Sequence, residues 1–316
     1  MNTNWERSRR SWLARNRLAL ISAAAIVAYA IFVEWVWGWP VLLRQWADIG
    51  FGPVLSALAL LVATYFIRCY RIHDYFPGET RGRLLPLFRV TQVHNLLNIM
   101  LPFRAGETSF PLLMRSEFGV PLVRGTAALF VMRLLDLHAL LTVAAAGLVA
   151  GRGHGAIGWV LWLLAFLSPF AFFLMKENAL AAVRRFAPVR VGPLLDEVEA
   201  GLPIDIPAFL RAWAMTMLNW AVKVVVLAWV LAIMGVAPLA ATFGGALGGE
   251  LSSVLPVHAP AGVGTYAAAI VAGAVSFGAD RAMLETLGRA SVNAHLLVIV
   301  SAVAGTLLSL LLRPKA

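Results

Sequence analysis

Charge is what this sequence has least of. Only 13% of its 316 residues are charged while 60% are hydrophobic, against roughly 25% and 45–50% in soluble globular chains. The length would suit about two soluble domains, yet no stretch is polar enough to build one. One cysteine, Cys69, excludes an intramolecular disulfide and leaves no thiolate cluster for a metal. There is no Walker loop, GxSxG, HExxH, CxxC or dinucleotide fingerprint, which removes the chemistries those motifs carry. Gly262-Val263-Gly264 follows no strand and is not a nucleotide loop. No metal and no cofactor are expected, and the chain reads as a non-enzyme.

What is present is apolar surface and basic charge, with a mean hydropathy of +0.80 and a formal net charge of +10. In a chain this apolar, basic residues set topology and touch anionic lipid, so no nucleic-acid partner is expected. Apolar runs at 18–37, 51–67, 125–150, 157–175, 209–234 and 292–312 are each close to the roughly 17–25 residues that cross a hydrocarbon core. The first could be a signal peptide, since Ala28-Tyr29-Ala30 resembles a cleavage site. It continues past that point to spanning length and reads as an uncleaved helix. Arg7, Arg9, Arg10, Arg15 and Arg17 precede it; Arg68, Arg71, Arg81, Arg83 and Arg89 follow the second run. Lys176, Arg184, Arg185 and Arg190 follow the fourth, and Arg313 and Lys315 end the chain. The alternate loops are nearly free of positive charge, with Arg44 in one, Arg152 in another and none in 235–241. The positive-inside rule then places both termini in the cytoplasm and the protein in the plasma (inner) membrane.

Two segments do not fit as spans. Residues 90–120 start and end beside cytoplasmic loops, and 239–278 start and end on the opposite side. Both read as re-entrant helical hairpins. The first breaks at Pro102 and Gly106; the second carries Gly244-Gly245, Gly248-Gly249, Pro256, Pro260, Gly262 and Gly264. Irregular backbone at membrane depth is tolerated only where protein or a watery cavity covers it. The fold class is therefore all-α: a polytopic integral membrane protein with six spanning helices and two broken re-entrant hairpins. A basic cytoplasmic segment (1–17), one transmembrane domain (18–312) and a short tail (313–316) make up the chain. Residues 177–206 form the longest polar loop, where Asp196, Glu197 and Glu199 suggest a solvated helix.

An internal echo supports this. "LPFRAGE" begins at Leu101 and "LPVHAPAGVG" at Leu255; "DLHALL" from Asp136 follows the first and "NAHLLV" from Asn293 the second. The proline-to-histidine intervals are 36 residues (102 to 138) and 39 (256 to 295). With hairpins entering from opposite faces, this is the pattern of an inverted repeat whose broken helices form a midplane site. The candidate repeat cores are 90–150 and 239–312.

Ionisable residues at membrane depth are functional candidates by default. Thr91, His94, Asn95 and Asn98 share one helical face before the first break. Arg104 and Glu107 stand three apart around that break, and a guanidinium beside free backbone N–H groups is a good phosphate receptor. Arg133 and Asp136 are spaced to pair on one helix. His138 lies roughly 140° round from Arg133 and reads as a packing residue facing another neighbour. Lys223 sits mid-span and Glu250 in the second hairpin; Lys223 could meet either Glu250 or Asp136. The candidate headgroup residues are Asn98, Arg104, Glu107, Arg133, Asp136, Lys223 and Glu250.

The stretches Asn98–Glu107 (NIMLPFRAGE), Arg133–Leu137 (RLLDL) and Leu255–Tyr266 (LPVHAPAGVGTY) resemble the lysylphosphatidylglycerol synthase transmembrane region, a flippase-like family. The likeness runs from about residue 54 to residue 312. The chain departs from the family at Ala261, where relatives often carry glycine, and at Ala267, near which they often carry an acidic residue. The resemblance implies movement of lipid between leaflets, or another lipid-handling role, and the basic candidate residues suit an amphipathic lipid with an anionic headgroup. The alternatives are a lipid-modifying transferase, with Glu107, Asp136 or His138 as base, and a non-catalytic anchor for a separate lipid synthase. Membrane lipid is the expected partner, and a lipid-synthesis enzyme the candidate protein partner.

Overall fold

The computed structural model describes residues 17–152, 155–255 and 259–312. The arginines before Arg17, the break proline Pro256, and Arg313 and Lys315 lie outside the described residues. Every regular element among the described residues is helical. Five helices are long and apolar enough to cross a membrane: α3 (Phe51–Tyr75), α6 (Leu122–Arg152), α7 (Gly155–Leu174), α10 (Ile206–Ile233) and α13 (Leu284–Leu311). A further candidate crossing lies in α1 (Arg17–Val36), whose segment Ile26–Val36 meets α2 (Trp39–Ile49) at a bend.

One correction to the expected spans is an added helix: α1 matches the first span expected at 18–37, and α2 follows it as a separate helix. The chain turns by 81° between the two helices. Gly38 takes φ 77°, and Pro40 sits in the first turn of α2, where its missing N–H has no helical partner to lose. A second correction concerns α3, which continues to Tyr75 instead of stopping near residue 67. Arg68 and Arg71 are therefore inside the helix and not loop charges that set topology. Arg81 and Arg83 remain exposed in the following connection.

Both expected hairpins form. In the first, α4 (Leu84–Met100) and α5 (Ser109–Phe118) pack on each other across a 3-10 turn, Pro102–Thr108. In the second, α11 (Leu239–Val254) and α12 (Thr265–Ser276) flank the shorter turn Pro260–Gly262. The glycine pairs of the second hairpin lie within α11, away from the break. A Cβ on Gly248 would stand 2.2 Å from the Ala269 carbonyl oxygen, and one on Gly273 2.1 Å from that of Gly244. These glycines let two helix backbones touch, the usual source of tight packing where lipid removes the hydrophobic driving force.

Three long helices, α6, α7 and α10, each long and apolar enough to cross a membrane, stand between the hairpins. The packing is mirrored. α4 lies on α3 as α11 lies on α10; α5 lies on α6 as α12 lies on α13. The halves interlock, with α6 against the second hairpin's α11 and α13 against the first hairpin's α4. α7 stands at the periphery with no buried residue, joined to α10 by aromatic contacts such as Phe166 tilted against Trp213 at 5.0 Å and Phe173 stacked on Phe209 at 4.6 Å. The polar connection holds α8 (Lys176–Phe186) and α9 (Gly192–Ala200), pinned together where Arg184 meets Asp196 at 2.8 Å and Glu199 at 2.7 Å.

Candidate functional site

The two breaks are built alike. α4 and α11 each end on a leucine, Leu101 (φ −88°, ψ 141°) and Leu255 (φ −72°, ψ 151°), in the extended conformation imposed on a residue before proline. Past the break, Phe103 (φ 51°), Arg104 (φ 54°) and Ala261 (φ 53°) are the three non-glycine residues with positive φ among the described residues. Such left-handed backbone is costly for residues with a Cβ and concentrates at functional sites. Gly106 lets the first tip fold down onto its own helix, since a Cβ there would lie 2.5 Å from the backbone of Asn98. The tips of the two hairpins touch each other.

A continuous ionic chain runs beneath the first tip. Arg104 donates to Glu107 through Nε at 3.0 Å and also through Nη2, while its Nη1 reaches the Ser253 carbonyl of the second hairpin at 2.9 Å. Glu107 also accepts from Arg133 Nε, at 2.9 Å to Oε1 and 3.2 Å to Oε2. Arg133 Nη1 then donates to Asp136 Oδ2 at 3.0 Å. Asp136, which is wholly buried, accepts from Arg71 at 2.7 Å and from the Trp220 indole at 2.9 Å. Arg71 Nη1 also donates to Thr216 Oγ1 at 2.7 Å.

His94 is tied into the same chain. Ser109 Oγ donates to the Gly106 carbonyl at 2.6 Å, so it accepts from His94 Nδ1 at 2.9 Å. That tautomer leaves Nε2 as an acceptor facing Arg133 Nη2 at 3.4 Å. A second cluster lies beside it. Lys223 donates to the buried Glu250 at 2.7 Å, Tyr266 hydroxyl donates to the other Glu250 oxygen at 3.0 Å, and the Lys223 ammonium lies 4.8 Å from the Trp220 ring centroid.

Between the clusters is a polar cavity of about 50 Å³, lined among others by Arg68, Asn95, Asn98, Lys223, Ser253 and Tyr266. Arg68 donates to Asn95 Oδ1 at 2.8 Å. Arg68, Arg71, Arg104, Arg133 and Lys223 stand against Glu107, Asp136 and Glu250, leaving two positive charges in excess.

The structure thus gathers the seven headgroup candidates at one centre. Arg104, Glu107, Arg133 and Asp136 are bonded in series, and Asn98, Lys223 and Glu250 line the cavity with Arg133. The open choice for Lys223 falls to Glu250. Arg104, expected as the phosphate grip, already has all three nitrogens on protein acceptors and serves as the bond between the hairpins. His138 lies apart, with Nε2 donating to the Ala165 carbonyl at 3.0 Å beside an apolar groove. Gly262 and Gly264 take φ 69° and 72° at the second turn. Sequence reasoning missed Arg68, Arg71, Tyr65, Trp220 and Tyr266 as site residues. Two signals were available: Tyr65, Arg68 and Arg71 recur every third residue, and Thr216, Trp220 and Lys223 share a face at spacings four and three.

Among the described residues no group of three His, Cys, Asp or Glu side chains is placed to hold a metal ion. Neither a curated protein nor a solved structure matches the chain. A family model described as the lysylphosphatidylglycerol synthase TM region matches residues 19–305, nearly the whole described chain and including the bent first pair. This multi-pass membrane protein belongs to the lysylphosphatidylglycerol synthase transmembrane-region family, which handles membrane lipid.

Proposed function

We propose that the protein moves an amphipathic lipid between the two leaflets, passing its headgroup through the polar centre while the acyl chains stay in the bilayer. One observation carries this reading: two hairpins, separated in the chain by three long apolar helices and so expected to enter from opposite faces, meet tip to tip over a buried ionic cluster. A site so placed can be opened toward either face by moving one half against the other, as in transporters built from inverted repeats. Apolar grooves are available to the acyl chains. One of about 540 Å³ runs between α3, α4 and α10, lined by Phe66, Ile67, Cys69, Leu84, Phe88 and Leu218. The loop charges that remain after Arg68 and Arg71 are assigned to α3 support cytoplasmic termini in the plasma membrane.

The test is lipid movement in proteoliposomes containing the purified protein and a fluorescent phospholipid, with external quencher reporting the leaflet. The expected result is faster loss of inner-leaflet fluorescence than in protein-free vesicles, with the lipid's mass unchanged. Movement no faster than in empty vesicles would overturn translocation. A new lipid mass appearing with time would replace it with lipid modification.

A further inference from the structure

We infer that the cavity between the two clusters is a receptor for a phosphate group, presented as the phosphodiester of an anionic lipid headgroup, with Arg68 and Asn95 as its main contacts. The lipid source rests on the translocation reading; the receptor chemistry rests on the geometry below.

The three carboxylates of the centre are all engaged. Glu107 is held by Arg104 and Arg133, Asp136 by Arg71 and Arg133, and Glu250 by Lys223 and Tyr266. Arg68 has none of them. Its bonded acceptor is the neutral Asn95 Oδ1, and its Nε has no protein partner. A guanidinium only donates, so it fixes the Asn95 amide with oxygen toward Arg68 and nitrogen away. The Asn95 side chain is buried, at 7% exposure, and its Nδ2 completes no hydrogen bond, with the Tyr65 hydroxyl as its neighbour in the cavity wall. The cavity therefore presents an unneutralised guanidinium and an unused amide donor, both wanting an oxyanion.

Size and charge agree. At roughly 10–15 Å³ for each water-sized group, the cavity of about 50 Å³ takes roughly three to five of them, the scale of the four oxygens of one phosphate. It leaves no room for glycerol or acyl chains, which must lie outside. A buried charge at membrane depth is stable only when paired, and the centre has two positive charges in excess. A phosphodiester removes one and can accept from the guanidinium fork in two places. A cationic headgroup would add a third unpaired charge, so the receptor selects against it.

The test separates binding from movement. The full chain in neutral detergent is titrated with dihexanoyl phosphatidylglycerol, with the phosphate-free dihexanoylglycerol, and with inorganic phosphate, using calorimetry. Phosphatidylglycerol should bind, and dihexanoylglycerol at least about ten-fold more weakly. Arg68→Gln should lower phosphatidylglycerol affinity about ten- to a hundred-fold, the scale of one charge-assisted contact. Asn95→Asp guards against a folding artefact, because it gives Arg68 the carboxylate it lacks. That variant should melt at or above the parent temperature and lose phosphatidylglycerol binding to the same degree.

Equal binding of the two glycerolipids, or parental affinity in Asn95→Asp, overturns the receptor. Arg68-dependent binding of inorganic phosphate without binding of phosphatidylglycerol overturns the lipid source. Proteoliposomes keep the two readings apart. Lipid movement that is unaltered by Asn95→Asp leaves translocation standing and removes the receptor. Arg68-dependent phosphatidylglycerol binding without any movement leaves the receptor standing and removes translocation.

Discussion

Replacing Asp136 by asparagine should be among the most damaging isosteric changes available in this chain. The carboxylate is 0% exposed and its partner Arg71 only 4%. It accepts from Arg71, Arg133 and Trp220 together. Asparagine keeps the shape and one acceptor but leaves two guanidinium groups facing a neutral amide. Removing one partner of a buried ion pair costs about 3–5 kcal/mol, or roughly a hundred- to several-thousand-fold in the folded-to-unfolded ratio. The geometry also says which second change should relieve the damage. Arg133 retains Glu107, whereas Arg71 keeps only the Thr216 hydroxyl. Arg71→Met should therefore rescue Asp136→Asn by at least about 1–2 kcal/mol, and Arg133→Gln by less. The assay is equilibrium unfolding in mixed micelles for the three single variants and the two doubles. Additive losses for Arg71→Met with Asp136→Asn would refute the coupling, and equal rescue by the two arginine changes would refute the ranking.

Four further outcomes are expected. Gly273→Ala places a Cβ 2.1 Å from the Gly244 carbonyl oxygen, so the second hairpin should loosen, seen as faster proteolysis and a lower melting temperature, at a cost of about 1–3 kcal/mol. Ala261→Gly should raise stability by up to about 1 kcal/mol, because alanine at φ 53° carries a left-handed penalty that glycine lacks; a fall in melting temperature would contradict this. Arg104→Lys cannot bridge Glu107 and the Ser253 carbonyl at once, and should lose about 1.5–3 kcal/mol of contact between the tips, measurable as increased cysteine labelling of a probe at Ser252. Labelling should also find Arg185 and Gly235 on opposite faces, and finding both on one face would end the opposed-hairpin reading.

Sequence pattern revealed what is local and left hidden what is long-range. The hairpins were legible because Pro102 and Pro260 cannot continue a helix and Gly106 and Gly262 beside them weaken one. The ionic centre was legible because intramembrane charges are rare enough to notice. Arg68 and Arg71 were misassigned since the rule that counts basic residues beside a span cannot see a partner 65 positions away, and Asp136 is that far from Arg71. The same blindness kept Glu250 and Asp136 equal as partners for Lys223. The bend between α1 and α2 was written locally in Gly38-Trp39-Pro40, just past the end of the apolar run at 18–37, but α2 itself was too short and mixed to be read as a span. The glycines of α11 were read as breakers because only the structure places the α12 backbone against them.

The distribution of bonds between the halves supports motion of one against the other. Asp136 and Asn293 occupy matching places in the internal echo, each two residues before a histidine and each fully buried. Both accept a tryptophan indole at 2.9 Å, from Trp220 and Trp46. One is charged and the other is held by neutral groups, Gln45 and the Leu42 carbonyl. The backbone is therefore mirrored while the charge is not. Within the buried centre, Arg71–Asp136, Arg133–Asp136, Arg133–Glu107 and Arg104–Glu107 all lie inside the first half, and Lys223–Glu250 inside the second. Arg104 to the Ser253 carbonyl, Arg71 to Thr216 and Trp220 to Asp136 cross between the halves, each a hydrogen bond to or from a neutral group. Separating a buried ion pair costs several kcal/mol, whereas each of these crossings is worth about 0.5–3 kcal/mol. Moving one whole half, hairpin and flanking long helices together, thus breaks the weak set and keeps these buried ion pairs intact, whereas moving a hairpin alone would break Arg133–Glu107 or Lys223–Glu250. An ion pair that does cross, Arg211 to Asp74 at 2.9 Å, lies outside the buried centre with Arg211 half exposed, where separating the charges costs little.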